Sequence, residues 1–146
     1  MNKINQYGEK MITSTSNKKI KDLKKLKENK NIRKYKKYLA EGKHLVEEAL
    51  GANVVEEIII AENFSDEGLL SNFTGEVTSV SESIMKSITE TITTQGIIGV
   101  CRIEEKSLDL TKYNKVLILD RVQDPGNLGT IIRTADAFAF DCIILG

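Results

Sequence analysis

Residues 115–146 restrict the fold of this chain more than any other stretch. Lys115 to Leu119 is a short apolar strand, Asn127 to Phe138 reads as a helix, and Cys142 to Leu145 is a second apolar strand. Two strands joined through a helix run parallel, and the crossover is expected to be right-handed. Between the first strand and the helix stands Asp124-Pro125-Gly126-Asn127. Proline fixes one φ angle there, and glycine permits a turn that other residues resist. Asn127 falls where an N-cap belongs, at a helix end whose unpaired N–H groups favour anions. Leu128, Ile131, Ile132, Ala135 and Phe138 follow the three-four spacing of a core stripe. Gly129, Thr130, Arg133, Asp136 and Ala137 make the other side, small residues around one arginine, with room for a ligand. A plainer reading stays open: Asn127 as a cap only, and Arg133 as half of an i,i+3 ion pair with Asp136. The dinucleotide fingerprint Gly-x-Gly-x-x-Gly is absent.

Upstream, strands alternate with helices, which argues for an α/β layer architecture. Residues 1–12 read as a flexible leader. Ser14, Thr15, Ser16 and Asn17 are N-cap candidates for a helix with Ile20, Leu23 and Leu26 on one narrow stripe and lysines elsewhere. Asn29-Lys30-Asn31 is expected to interrupt it, before a second basic segment from Arg33 to Tyr38. Leu45, Val46, Ala49 and Leu50 share one helix face. Val54 to Ala61 reads as a buried strand, Glu67 to Leu70 as a short helix, and Val77 to Val80 as a strand. A serine-capped helix starts at Ser81, and Gly96 to Ile103 is a further strand. Glu104 to Asn114 is polar without a clear period and reads as a linker between two domains.

The net charge of zero conceals an asymmetry. Residues 1–44 hold 14 Lys/Arg against 4 Asp/Glu, and residues 45–146 hold 7 against 17. A basic amino-terminal face suits a polyanion such as RNA or DNA, although a lysine-rich solvated helix has the same composition. Lys18, Lys19, Arg33, Lys34, Lys36, Lys37 and Lys43 are the candidate RNA contacts. Tyr35 and Tyr38 lie among them as candidates for base stacking or, more plainly, as rings along which lysine stems pack. Cys101 and Cys142 sit in apolar settings without the spacing of a disulfide framework or a metal site, so they are expected to be buried thiols in a cytoplasmic protein. No apolar run approaches the roughly 20 residues of a membrane span, and no secretory h-region is present, so no membrane association is expected.

The string Leu119-Asp120, Val122 and then Asp124 through Phe138 closely resembles the first signature motif of the SpoU/TrmH family of RNA ribose 2′-O-methyltransferases, members of the SPOUT class. It departs at Ala139, where the family usually has glycine, and that change bears on the geometry of the helix exit. Ile12-Thr13-Ser14 with its basic helix, Leu39-Ala40-Glu41-Gly42, and Thr93 to Val100 are similar to the beginning and end of the family's amino-terminal domain. Thr94 stands where that domain commonly has proline. The resemblance implies an L30e-like α/β/α substrate-binding domain over 13–103, a linker over 104–114, and over 115–146 the first βαβ of a knotted SPOUT methyltransferase domain. It implies methyl transfer from S-adenosylmethionine to a ribose 2′-hydroxyl of RNA, ribosomal RNA more than transfer RNA, by a homodimer without metal. Arg133 is then the residue that activates or positions the hydroxyl, and Asn127 helps to hold the site. A guanidinium keeps its proton in the working pH range, so the expected role is to bind the neighbouring phosphate and orient the hydroxyl. The later motifs that build the family's cofactor pocket and knot do not occur here. The chain as it stands is therefore expected to be an inactive amino-terminal fragment that binds RNA but not the cofactor. A stand-alone L30e-like RNA-binding module and a phosphate-binding α/β domain of another enzyme remain the alternatives.

Overall fold

Two strands with no polar alternation organise the first part of the chain. Val55–Ala61 (β2) and Ile97–Arg102 (β4) pair antiparallel, with Ile58 opposite Gly99 and Ile60 opposite Ile97. Strands apolar on both sides need cover on both sides. Ile59, Ala61, Ile98 and Val100 face a core with Ile20, Leu23 and Leu26 of the α1 region (Lys18–Lys25) and Ile84, Met85 and Ile88 of the helix Glu82–Ile88. Ile58, Ile60, Ile97 and Cys101 face a second core with Val46, Ala49 and Leu70. The result is a three-layer α/β/α unit around a mixed sheet.

The computed structural model describes residues 11–91, 93–105 and 108–146, and the chain divides into two compact units, 1–104 and 105–146. In the first unit, α1 is followed by α2 (Asn29–Tyr35), β1 (Lys37–Glu41), α3 (Lys43–Gly51), β2, α4 (Glu67–Leu70), β3 (Glu76–Val80), α5 (Glu82–Ile88) and β4. The sheet order is β1-β4-β2-β3, with β1 antiparallel to β4 and β3 parallel to β2. Asn17 caps α1, its Oδ1 accepting from Lys19 N at 2.8 Å, and Ser81 caps α5.

Several local expectations need correction. The break after α1 falls at Leu26 to Glu28, where amides bond carbonyls three residues back, and Asn29 to Asn31 begin α2 rather than interrupting a helix. Strand β1 was hidden by its polar ends, Lys37 and Glu41, and by the basic segment before it: Tyr38 and Ala40 face the α3 core, while Leu39 packs on the opposite side. Leu45 is 53% exposed, because α3 turns only Val46 and Ala49 fully inward. Residues 1–10 of the expected leader lie outside the described residues. Met11 is buried and Ile12 bridges to Val80, its amide donating to Ser79 O at 2.9 Å.

One corner is built on close contact. Gly42 has φ +93°, and a Cβ there would stand 2.7 Å from Gln95 Oε1, the oxygen that accepts from Lys43 N at 2.7 Å. The Glu41 carboxylate accepts from the amides of Glu90 and Thr91. These bonds tie the start of α3 to the segment that leads into β4.

The second unit is the expected βαβ. Val116–Leu119 (β5), Pro125–Ala137 (α6) and Cys142–Leu145 (β6) follow in order, and the strands pair parallel from Val116 opposite Cys142 to Leu119 opposite Leu145. Within the expected linker, a short 3-10 turn spans Leu110–Lys112. The Asp141 carboxylate accepts from the amides of Asn114 and Lys115 at 2.8 and 2.9 Å. Those bonds, the one from Lys115 foremost, hold it below the usual carboxylate range. The predicted core stripe of α6 is only partly covered: Ala135 is buried, whereas Ile132 is 41% and Phe138 68% exposed. One helix on two strands has too little surface to close over five apolar side chains. Both cysteines are free thiols; Cys101 is buried but Cys142 only half-buried.

Candidate functional site

The amino-terminal end of α6 is set by Asp124, not by Asn127 as the sequence suggested. Asp124 has extended backbone (φ −81°, ψ 120°), and its Oδ1 accepts from Asn127 N at 2.6 Å. Pro125 follows at the first helical position, where its missing N–H is no loss. Asn127 is therefore the third helical residue, its amide already satisfied and its side chain exposed. A Cβ on Gly126 would stand 3.1 Å from the capping Oδ1, so the bare backbone at 126 lets the carboxylate close onto the helix.

Arg133 does not pair with Asp136. Its Nη2 donates to Thr130 Oγ1 at 3.3 Å, and that hydroxyl donates to Gly126 O at 2.9 Å. A Cβ at Gly129 would lie 3.6 Å from Arg133 Nη1, so the guanidinium runs back along the small-residue face towards the start of the helix. At about 100° per residue, Asn127 and Arg133 are separated by about 120° around α6 and about 9 Å along it. They do not share a stripe. The face that carries Arg133 is made by Gly126, Gly129, Thr130 and Ala137. Thr130 went unnoticed as a partner of the arginine, although its i,i+3 spacing was a visible signal.

The seven basic residues proposed for RNA divide by what holds them. Lys19 is a structural residue: its Nζ meets Glu57 Oε1 at 2.5 Å, Glu76 Oε1 at 2.6 Å and Thr78 Oγ1 at 2.7 Å. An ammonium has three donors, and all are engaged. Burial alone lowers the Lys19 pKa, but the bonds and charges of Glu57 and Glu76 outweigh it and raise the value. Lys37 pairs with Glu56 at 2.6 Å. Lys43 pairs with Asp66 at 3.0 Å and stands 5.6 Å from the Phe64 ring centre. Lys36, with φ +52°, ends α2 in the left-handed region. Lys18, Arg33 and Lys34 are exposed and form no ion pair among the described residues, and Lys34 Nζ lies 5.4 Å from the Tyr35 ring centre.

The tyrosines separate in the same way. Tyr38 packs against the α3 core beside Cys101, and burial pushes its phenol pKa up. Tyr35, the last residue of α2, is 44% exposed. Among the described residues no cluster of three or more His, Cys, Asp or Glu side chains could hold a metal ion, and no helix is long and apolar enough to cross a membrane.

Comparison with known proteins places both units. Residues 17–99 match the MRM3-like substrate binding domain, and residues 114–146 match the SpoU rRNA Methylase family. The chain is 45% identical over 139 residues to the 23S rRNA (guanosine(2553)-2'-O)-methyltransferase RlmP of Bacillus subtilis, covering 94% of this chain and 54% of the relative. Among solved structures, an AdoMet-bound rRNA methyltransferase from Sinorhizobium meliloti superposes with a TM-score of 0.75 at 32% identity, over 93% of this chain and 54% of that one. An RNA 2'-O ribose methyltransferase structure gives a TM-score of 0.76 at 28% identity, over 93% and 55%. The chain thus spans about half the length of the curated relatives it matches.

Proposed function

The chain belongs to the SpoU/TrmH family of RNA methyltransferases, and from that premise we propose that it serves in ribose 2′-O-methylation of ribosomal RNA. The first unit grips the RNA, and α6 of the second presents Arg133 to the ribose that is modified. The observation that carries this reading is the open face of α6. There Asp124, Gly126, Gly129 and Thr130 leave one guanidinium exposed on a surface free of bulky side chains.

S-adenosylmethionine, which the related Sinorhizobium enzyme binds, supplies an electrophilic methyl group when bound. On the open surface of α6 the residues present do not enclose a molecule of that size, so this chain's residues are assigned contacts with RNA alone. The guanidinium of Arg133 donates two parallel hydrogen bonds to a phosphate beside the target nucleotide. That contact orients the ribose and places a phosphate oxygen to accept a hydrogen bond from its 2′-hydroxyl. Asn127, a third of a turn away, is placed to bind the sugar or the adjoining nucleotide. The working enzyme is expected to be a cytoplasmic homodimer that needs no metal.

Mapping of 2′-O-methyl groups in cells with and without the gene tests the function. One ribose methyl should vanish from large-subunit ribosomal RNA and return with the wild-type gene; an unchanged map would overturn the proposal. If the deletion leaves methylation intact while the chain still binds RNA, the protein is an RNA-binding module without catalysis. Arg133→Lys keeps the charge but not the paired donors, and should lower methylation by about 10- to 100-fold, the effect of losing a charge-assisted hydrogen bond. Near-normal methylation would remove the bidentate role.

A further inference from the structure

Apart from the face of α6, the first unit carries a groove of about 830 Å³ that the reading above does not use. Leu23, Leu26 and Val100 form its apolar wall, and Ile12 and Tyr35 also border it. Every lining residue except Glu57 and Val100 comes from the segment 12–37, the most basic part of the chain. The acidic groups on it are engaged: Glu57 shares Lys19 with Glu76, and Asp22 pairs with Lys25 at 2.7 Å. Lys37 is tied to Glu56 at 2.6 Å, so Lys18 is the cation on the lining that forms no ion pair among the described residues. Tyr35 differs from Tyr38 in being half-open to solvent, at the end of a helix that also presents Arg33 and Lys34.

An apolar slot, an exposed aromatic ring and a positive rim match one kind of ligand, a base with its backbone phosphates. Single-stranded nucleic acid is held by stacking bases on aromatic side chains while cations track the phosphates. We propose that the groove takes one unstacked nucleobase of a single-stranded segment of the RNA substrate. Tyr35 supplies the stacking surface, and Lys18 and Lys34, which form no ion pair among the described residues, meet the flanking phosphates. The proposal rests on the reading that the first unit binds RNA.

The test titrates the 146-residue chain with a fluorescent single-stranded RNA oligonucleotide over a range of salt concentrations. Tyr35→Ala should weaken binding by about 5- to 150-fold, the range carried by base–aromatic stacking. The slope of log affinity against log salt should stay unchanged, because no phosphate contact is lost. Tyr35→Phe should restore the affinity. Ile12→Trp, which fills the groove without removing a cation, should weaken binding in the same salt-independent way. Reversal of Lys18 and Lys34 to glutamate should weaken binding and flatten the salt slope. If the charge reversals weaken binding but Tyr35→Ala and Ile12→Trp do not, the groove proposal is overturned and RNA binding stands. If the wild-type chain does not bind RNA, or the charge reversals leave binding unchanged, the RNA reading of the first unit falls and the groove proposal falls with it. Photocrosslinking of 4-thiouridine-substituted RNA should mark the peptide with Tyr35; crosslinks confined to other peptides would also overturn the groove.

Discussion

Lys19 occupies the point where α1 meets β2 and β3, and its three acceptors define what it does. With Glu57, Glu76 and Thr78 around it, the ammonium ties the first helix to the sheet. The Glu76 carboxyl is held below its ordinary value of 4.5, first by its hydrogen bond to Lys19. A lowered carboxyl pKa stabilises the fold at pH values above the ordinary value, and that contribution is lost as pH falls through the folded value. For Lys19 the sign is opposite: its raised pKa stabilises fully below 10.5 and fades only in stronger alkali. Glu76→Gln should therefore reduce stability at pH 7 and lose its effect as pH falls below 4.5 and through the lowered folded value. The Glu76 side chain is largely exposed, so screening keeps the difference under about 1 kcal/mol. Urea unfolding at several pH values measures it, and an equal loss across the acid range would contradict the ion-pair account.

At the scale of the element, α6 ends in a way that the sequence departure at Ala139 forecast. Phe140 N donates to Ala135 O and Ala139 N to Asp136 O, both at 2.9 Å, which is a Schellman closure. Ala139 sits at φ +52°, in the left-handed region that glycine enters without strain. The strain of a Cβ there is of the order of 1–2 kcal/mol, and a more flexible unfolded chain returns about 0.4–1 kcal/mol of any gain. Ala139→Gly should stabilise the second unit by about 0.5–1 kcal/mol. Thermal or urea unfolding reads the change, and a loss of stability would contradict the left-handed geometry.

On the scale of the whole molecule, the two units differ in how completely they bury themselves. The first has a closed core on each face of its sheet. In the second, Ala135 is the buried hydrophobic residue among those described, and Ile118, Phe138 and Leu145 are well exposed. Amide exchange follows such differences in local burial. The amides of β2 and β4 should be the slowest to exchange, and those of α6 and β5 should exchange markedly faster. Hydrogen exchange read by NMR checks this order. Protection of α6 equal to that of β4 would mean that its open face is covered in solution.

Much of this was legible in the chain itself, because it depends on neighbours in sequence. The βαβ order, the cap at Ser81, a first-helix cap within Ser14 to Asn17, and the doubly apolar β2 and β4 follow from period and turn chemistry. The motif around Arg133 was legible as a string, and the family followed from it. Its geometry was read less well: Asp124 takes the cap assigned to Asn127, since a proline at the first helical position moves the helix start forward. What lay beyond the sequence depends on partners far along the chain. β1 exists because Tyr38 to Glu41 pair with Ile98 to Cys101. Lys19 is structural because Glu76, 57 residues away, folds onto it, and Tyr35 borders a groove only because Val100 arrives at its wall. Pattern and capping are local and can be read directly; whether a cation is engaged or offered to a ligand is decided by which residues the fold sets beside it.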